Sequence, residues 1–329
     1  MSDDLRAAVL AGGLTYERDV SLKSGRRVVD ALRRAGVETH MLDTDAEMID
    51  NLLAIQPDAV FVALHGGSGE DGALRSVLDL LGFPYVGSAA DACRLAWDKP
   101  AAKALVAQHG VRTPDSLALP HSTFRELGAS ALLDRIVSRL GLPLMVKPAQ
   151  GGSALGAQRV SDVDQLPAAM ISCFSYGATA LVEPHVAGVQ VAVGVLDTGD
   201  GPRALPAVEV APASGFFDYT ARYTPGATTY HTPARVDPAI AEQLAALAVT
   251  VHTVLSLRDL SRVDAIVAES GAVEFLQVNV APGMTETSLL PMAIKAAGID
   301  VGAVLADLLR RAARRGGDDR SADLAVSAS

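Results

Sequence analysis

The sequence predicts an α/β protein whose first part is built on a parallel sheet. Three observations carry that expectation. Short apolar runs recur, each closed by glycine or a polar turn, and DAVFVAL (58–64) is the clearest of them. Helical stretches alternate with these runs, the pattern of strand–helix–strand units. The 329 residues are 49% hydrophobic and 20% charged, ample for a large core and for two or three domains.

Taken in order, Ala7–Ala11 is the first buried strand, ended by Gly12-Gly13. Residues 17–35 read as a helix that Gly36 stops, 37–42 as a strand, and a helix to about Ile55 leads into DAVFVAL. Leu74, Val77, Leu78 and Leu81 follow helical spacing, with Asp71 as N-cap and Gly82 as stop. These elements make an N-terminal α/β domain, 1–96. A central domain, 97–183, begins with a helix from Lys99 to His109. Thr123 with Glu126 forms a capping box for a helix reaching about Arg139. LPLMVKP (142–148) is a strand, Asp162 with Gln165 caps a helix, and ATALVEP (178–184) is the last strand. The third domain, 184–316, has strands near 189–196 and 203–210. Asp237-Pro238 then opens a helix with Ile240, Leu244, Leu247, Val251 and Leu255 on one face. VDAIVA and VEFLQVNV follow as a hairpin turning at Glu269-Ser270-Gly271, then two helices. Residues 317–329, polar and small, read as a disordered tail.

Composition excludes some partners. A formal net charge of −10 disfavours nucleic-acid backbones, and an aromatic content of 4% disfavours base-stacking platforms. Cys93 and Cys173 are far apart and imply buried thiols in a reducing, cytoplasmic setting rather than a disulfide framework. The N-terminal MSDDLRAAVLAGG is acidic and only briefly apolar, so it reads as neither a signal peptide nor a membrane span.

Four stretches carry chemistry. In the hairpin, Arg262 and Asp264 alternate onto one strand face, as do Gln277 and Asn279 on the next. Strands lie about 5 Å apart, so the four groups either converge on one ligand or form the solvated face of an edge strand. Asp and Asn oxygens suit Mg2+ bound together with substrate phosphates. The turn after the hairpin and Thr287-Ser288 before a helix make an anion site. VKPAQGGSALG (146–156) sets Lys147 before a glycine loop able to wrap phosphate, or is a plain surface turn. ALHGGSGEDG (63–72) leaves a strand at its carboxyl end, where His65, Glu70 and Asp71 either face a cleft or, for Asp71, cap the next helix. Glu17, at a helix start, either caps it or binds a substrate ammonium.

Together, GGLTYERDVSLKSG, LHGGSGEDG, FPYVGS, DKPAAK, VKPAQGGSALG, FFDYTARY, SRVD and QVNVAPGMTETSLLP resemble the D-alanine–D-alanine ligases of the ATP-grasp superfamily, in order and spacing, from about residue 7 to 312. The resemblance implies a three-domain ATP-grasp architecture with the parallel-sheet domain first. It implies ATP between the central and C-terminal domains and two D-alanines facing the N-terminal one. It further implies two Mg2+ ions, a homodimer, and a product used for peptidoglycan and hence cell shape. By position, Lys99 and Lys147 resemble the phosphate-binding lysines. Glu183 and Val186 would meet adenine, and Gln190 the ribose. Arg222 stands where the family has lysine. Glu17 would hold the ammonium of the first D-alanine, with Ser153 and Tyr223 as its partners and His65 close by. Arg262 and the Gly283 N–H would stabilise an oxyanion. Ser288 and Leu289 would receive the carboxylate of the second D-alanine. Asp264, Gln277 and Asn279 match the metal positions.

Three further replacements depart from the family. Gln277 and Gln190 stand where glutamates bridge metal and hold ribose, and Ala154 stands where a second serine is usual. A glutamine can ligate through its carbonyl oxygen but brings no charge. These changes leave open a ligase for other amino acids or a weakly catalytic nucleotide-binding relative.

Overall fold

A computed structural model describes residues 5–224 and 226–327, with side chains to residue 316 apart from that of Tyr223. Strands β1 (Arg6–Ala11), β2 (Glu38–Asp43), β3 (Ala59–Val62) and β4 (Tyr85–Val86) form a parallel sheet in the order β2-β1-β3-β4. Helices α1 (Arg18–Arg34), α2 (Met48–Ile55), α3 (Ala73–Leu81) and α4 (Ala90–Trp97) accompany it. β1 and β3 are buried along nearly their whole length, as strands covered on both faces must be.

The next part contains α5 (Lys99–Gln108), β5 (Leu117–Pro120), α6 (His121–Leu127), α7 (Ala129–Leu140), β6 (Leu144–Pro148), β7 (Gln158–Val160), α8 (Leu166–Phe174) and β8 (Thr179–Pro184). Its four strands pair antiparallel in the order β5-β8-β6-β7. The third part has β9 (Gly188–Leu196), β10 (Arg203–Ala204), β11 (Val208–Pro212), α9 (Tyr219–Tyr223), β12 (Thr228–His231), α10 (Pro238–Val254), β13 (Leu260–Ala268), β14 (Val273–Asn279), α11 (Leu289–Ala296) and α12 (Val301–Ser327). The sheet order is β12-β11-β9-β13-β14, with β10 beside β9. α12 packs back on α1, β3 and β4. There Arg315 pairs with Asp259, which also accepts a hydrogen bond from the Gly87 N–H. The C-terminal helix thereby clamps the first sheet to the third.

Several expectations are corrected. The helix read from Thr123 to Arg139 is two helices, α6 and α7, and the Thr123/Glu126 capping box is absent because Thr123 lies inside α6. Pro120 occupies the N-cap, and Gly128 breaks the run at φ +85, a conformation that favours glycine. The strand read at 203–210 is split into β10 and β11 around Pro206, which has no N–H to give a ladder. Asp71 is not the N-cap of α3, which is Gly72, but it accepts a hydrogen bond from the Ala73 N–H one position further back. Glu17 occupies the N-cap of α1 without a side-chain capping bond. α12 continues to Ser327; the side chains of 317–327 and residues 328–329, which belong to the tail read as disordered, lie outside the described residues. The Asp162–Gln165 capping box is present and leads through a short turn into α8. Cys93 and Cys173 are both buried and free. Among the described residues no single helix is long and apolar enough to cross a membrane.

Candidate active site

Two cavities meet under the hairpin. The larger, of about 490 Å³, lies between the second and third sheets and is lined by Lys147, Glu183, Val186, Gln190 and Asp264. The smaller, of about 90 Å³, reaches the first sheet and is lined by Glu17, His65, Glu70, Ser153, Arg262, Asn279, Gly283, Ser288 and Leu289. Lys99, Gly151, Gly152, Arg222 and Gln277 line both and mark the junction. A ligand with a bulky apolar end and an anionic end would lie across it, with small polar substrates beyond.

The hairpin sets the junction. Arg262 pairs with Asn279 and Asp264 with Gln277 in the β13–β14 register, and a bulge follows Asp264. Arg262 grips Asp264 with a fork, Nε to Oδ1 at 2.7 Å and Nη2 to Oδ2 at 2.9 Å. Gln277 Nε2 donates to the same carboxylate at 2.8 Å. Asn279 Oδ1 accepts from the Ala281 N–H at 2.8 Å and so shapes the exit of the strand. Arg262, Asp264 and Gln277 converge, with Asn279 facing the smaller cavity. β14 is the edge strand of the sheet, but Arg262 and Asp264 are buried on β13 and Gln277 and Asn279 are half-buried, so the polar face of the hairpin is not a solvated one.

One side of the larger cavity is built from lysines. Lys99 is buried at the start of α5 and donates to the Gly151 carbonyl at 2.7 Å. Burial, with Lys147 nearby, brings its pKa down to about 8. Glu183, also buried, is bound by Lys147 on one oxygen and by Lys103 on the other. Burial alone would raise that carboxyl, but the two lysines outweigh it and hold it below the usual range. Lys103 was not singled out from the sequence. Its signal was its spacing, four residues after Lys99 on one helix, which puts both on one face. Arg222 stacks on Phe217 with its guanidinium carbon 4.2 Å from the ring centroid. Gln190 lies on β9 between Val210 and Ile266 of its neighbours, facing the larger cavity.

On the small-substrate side, Glu17 turns away from its helix and accepts a hydrogen bond from Ser153, so the capping alternative is overturned. Ser153 and Ala154 both hold left-handed φ, 52° and 58°, an uncommon backbone for such residues. His65 bridges Ser24 (2.8 Å) and the Ala281 carbonyl (3.1 Å). Its Nδ1 must donate to that carbonyl, so Nε2 accepts from Ser24, whose oxygen in turn accepts from the Met284 N–H. Burial lowers its pKa to about 4, leaving a neutral brace between the first helix and the hairpin exit. Gly66 must be glycine: its φ is +67°, and a Cβ would stand 1.8 Å from a Glu17 carboxylate oxygen. Ser288 precedes α11 as N-cap and accepts from the Thr285 N–H at 2.9 Å, without capping its own helix. The first N–H groups of α11 thus carry no side-chain cap, a setting suited to a carboxylate. Tyr223 ends α9, and its side chain lies outside the described residues.

Among the described residues no group of three or more His, Cys, Asp or Glu could hold a metal. Asp264 on the larger cavity, Asn279 on the smaller and Gln277 on both offer one carboxylate, held by Arg262, and two neutral oxygens, of which that of Asn279 accepts from the Ala281 N–H. That set fits Mg2+ arriving with phosphate ligands of its own and does not make an all-protein cage.

Comparison with known proteins fits this geometry. Residues 105–310 match the family model described as D-ala D-ala ligase C-terminus, and residues 46–88 the one described as D-ala D-ala ligase N-terminus. A D-alanine–D-alanine ligase of Bordetella petrii is 38% identical over 308 residues, 94% of this chain and 92% of that one. The crystal structure of the Bacillus anthracis D-alanine–D-alanine ligase complexed with ATP is 27% identical, with a TM-score of 0.79 over 96% of this chain and 99% of that one. The VanG D-Ala:D-Ser ligase of Enterococcus faecalis is likewise 27% identical, with a TM-score of 0.79 over 94% and 100%.

Proposed function

Since this chain belongs to the D-alanine–D-alanine ligase family, we propose that it uses ATP to join two D-alanines through a D-alanyl phosphate, forming ADP, phosphate and the dipeptide needed for peptidoglycan precursors. The observation that carries this reading is the meeting of a nucleotide-sized cavity and a small polar one at Lys99, Arg222 and Gln277.

Adenine enters beside Glu183 and Val186, ribose beside Gln190, and the triphosphate runs past Lys147 to Lys99. Glu17, fixed by Ser153, holds the ammonium of the first D-alanine. The carboxylate of that D-alanine attacks the terminal phosphorus, and ADP leaves. The amine of the second D-alanine, its carboxylate seated at Ser288 and Leu289, then attacks the acyl carbon. Arg262 spends two of its five N–H groups on Asp264. This fork fixes the plane in which the guanidinium, with the Gly283 N–H, meets the developing oxyanion. His65 completes the wall. Positioning and electrostatic stabilisation supply most of the rate. Asp264, Gln277 and Asn279 would hold Mg2+, which neutralises phosphate charge when bound. Gln277 would offer a carbonyl oxygen without charge and so would hold such an ion more weakly than a carboxylate.

The setting is cytoplasmic, in keeping with two buried free thiols, and the assembly is a homodimer, which sedimentation tests directly. The reaction itself is tested by mixing the protein with ATP, Mg2+ and single D-amino acids. Phosphate release together with dipeptide should appear with D-alanine. Release with another D-amino acid and none with D-alanine would transfer the assignment to a ligase of different substrate.

A further inference from the structure

Glu70 belongs to the smaller cavity but has no part in the steps above. It follows β3 in the loop that carries His65, and it is 6% exposed. One carboxylate oxygen accepts from the Gly66 N–H at 2.9 Å. The other has no hydrogen-bond partner among the described residues, while the side chain lines the cavity. That oxygen is open to the cavity, so it is the point at which a ligand or a proton can meet this otherwise buried carboxylate.

We infer that Glu70 accepts a proton from the ammonium of the second D-alanine, releasing the amine for attack. This rests on the ligase reading above. The ammonium gives one proton to Glu70, and the nitrogen lone pair forms the new C–N bond. The C–O bond to phosphate then breaks with its electron pair on the phosphate oxygen, and the second nitrogen proton passes to that leaving phosphate.

The neighbours point to Glu70 rather than to another group. His65 has both ring nitrogens committed, one to Ser24 and one to Ala281. Glu17 already accepts from Ser153 and is assigned to the first ammonium. The charges facing Glu70 are Glu17 at the start of α1, Lys99 at the start of α5, and Arg262 on β13, with Arg222 of α9 across the cavity. Arg75 of α3 lies behind the loop and donates to the Gly69 carbonyl. Burial first, then the Glu17 charge, raises the Glu70 carboxyl to about 7, against the pull of Gly66, Arg262 and Lys99. Two carboxylates in one buried pocket resist joint ionisation. A base that titrates near neutrality is also the most useful for proton transfer there.

The test separates proton removal from acyl-phosphate formation. Hydroxylamine is largely uncharged at neutral pH and traps an acyl phosphate as hydroxamate without a base to free its nitrogen. In Glu70→Gln the amide oxygen can still accept from Gly66. At neutral pH this variant should make hydroxamate from D-alanine and ATP at near the wild-type rate, while dipeptide formation falls about 100-fold or more. The rise of wild-type dipeptide rate through neutral pH should flatten in the variant, and Glu70→Asp should restore part of it. Equal loss of hydroxamate and dipeptide would overturn the inference and make Glu70 a binding or structural group. Unchanged dipeptide formation would overturn it too. Wild-type protein that forms neither product overturns the ligase reading itself, a result distinct from both.

Discussion

Ser153 donates a hydrogen bond to Glu17, a residue 136 positions earlier in the chain. The contact closes the glycine loop after β6 against the start of α1, and it holds Ser153 at φ 52°, where a side chain is disfavoured. Hydrogen bonds to charged groups contribute about 1.5–3 kcal/mol. Ser153→Ala should therefore raise KM for the first D-alanine about 10- to 100-fold and leave ATP binding nearly unchanged. Ser153→Gly should show the same KM with less loss of thermal stability, because glycine accepts that backbone. A normal KM in both variants would remove Ser153 from substrate binding.

Lys103 is predicted to be essential for placing Glu183. Both are almost fully buried, and Glu183 also holds Lys147. Removing one partner of a buried pair typically costs about 3–5 kcal/mol, and because Lys147 still compensates part of the Glu183 charge the loss should lie toward the lower end of that range. Lys103→Met should lower Tm and weaken ATP binding. The double variant Lys103→Met with Glu183→Gln should regain most of the Tm. If the double variant is no more stable than the single, Lys103 acts through packing and not through charge.

Gln277, at the cavity junction, donates to Asp264 on the wall of the larger cavity. Gln277→Glu sets a second carboxylate there in place of a donor. The variant should be less thermally stable than wild type without Mg2+, and should gain more stability than wild type on addition of Mg2+. The Mg2+ concentration for half-maximal activity should fall. An unchanged Mg2+ requirement and no added thermal response would dissociate position 277 from the metal.

Arg262→Lys keeps a cation beside Asp264 but loses the fork. Turnover should fall about 100-fold, the usual scale for a lost oxyanion donor, while ATP affinity holds. Near-normal turnover would make Arg262 a structural partner of Asp264 alone.

What the sequence disclosed follows from how local each signal is. The hairpin was legible because Arg262, Asp264, Gln277 and Asn279 interrupt apolar runs at strand spacing, and the turn between them is plain. The register that opposes Asp264 to Gln277 came only with the fold. In the sequence alone the Thr123–Glu126 capping pattern masks the break at Gly128. β5, β7 and β12 are three or four residues long and carry too little alternation to be read. Lys103 stayed hidden because its partner is 80 residues away. Glu70 was visible at the end of a strand, but its chemistry depends on burial and on Glu17, which no local pattern encodes. The clamp of Arg315 on Asp259 joins helix and sheet over 56 residues and had no sequence signal.

The central claim is that ATP activates a D-alanine carboxylate as its acyl phosphate, so it is tested most directly by following that oxygen. D-alanine labelled with heavy oxygen in its carboxylate is incubated with the protein, ATP and Mg2+, and phosphate and dipeptide are analysed by mass. The account predicts one labelled oxygen in each released phosphate and one D-alanyl-D-alanine per ATP consumed. Dipeptide with wholly unlabelled phosphate, or labelled D-alanine left unjoined while ATP is hydrolysed, would contradict it.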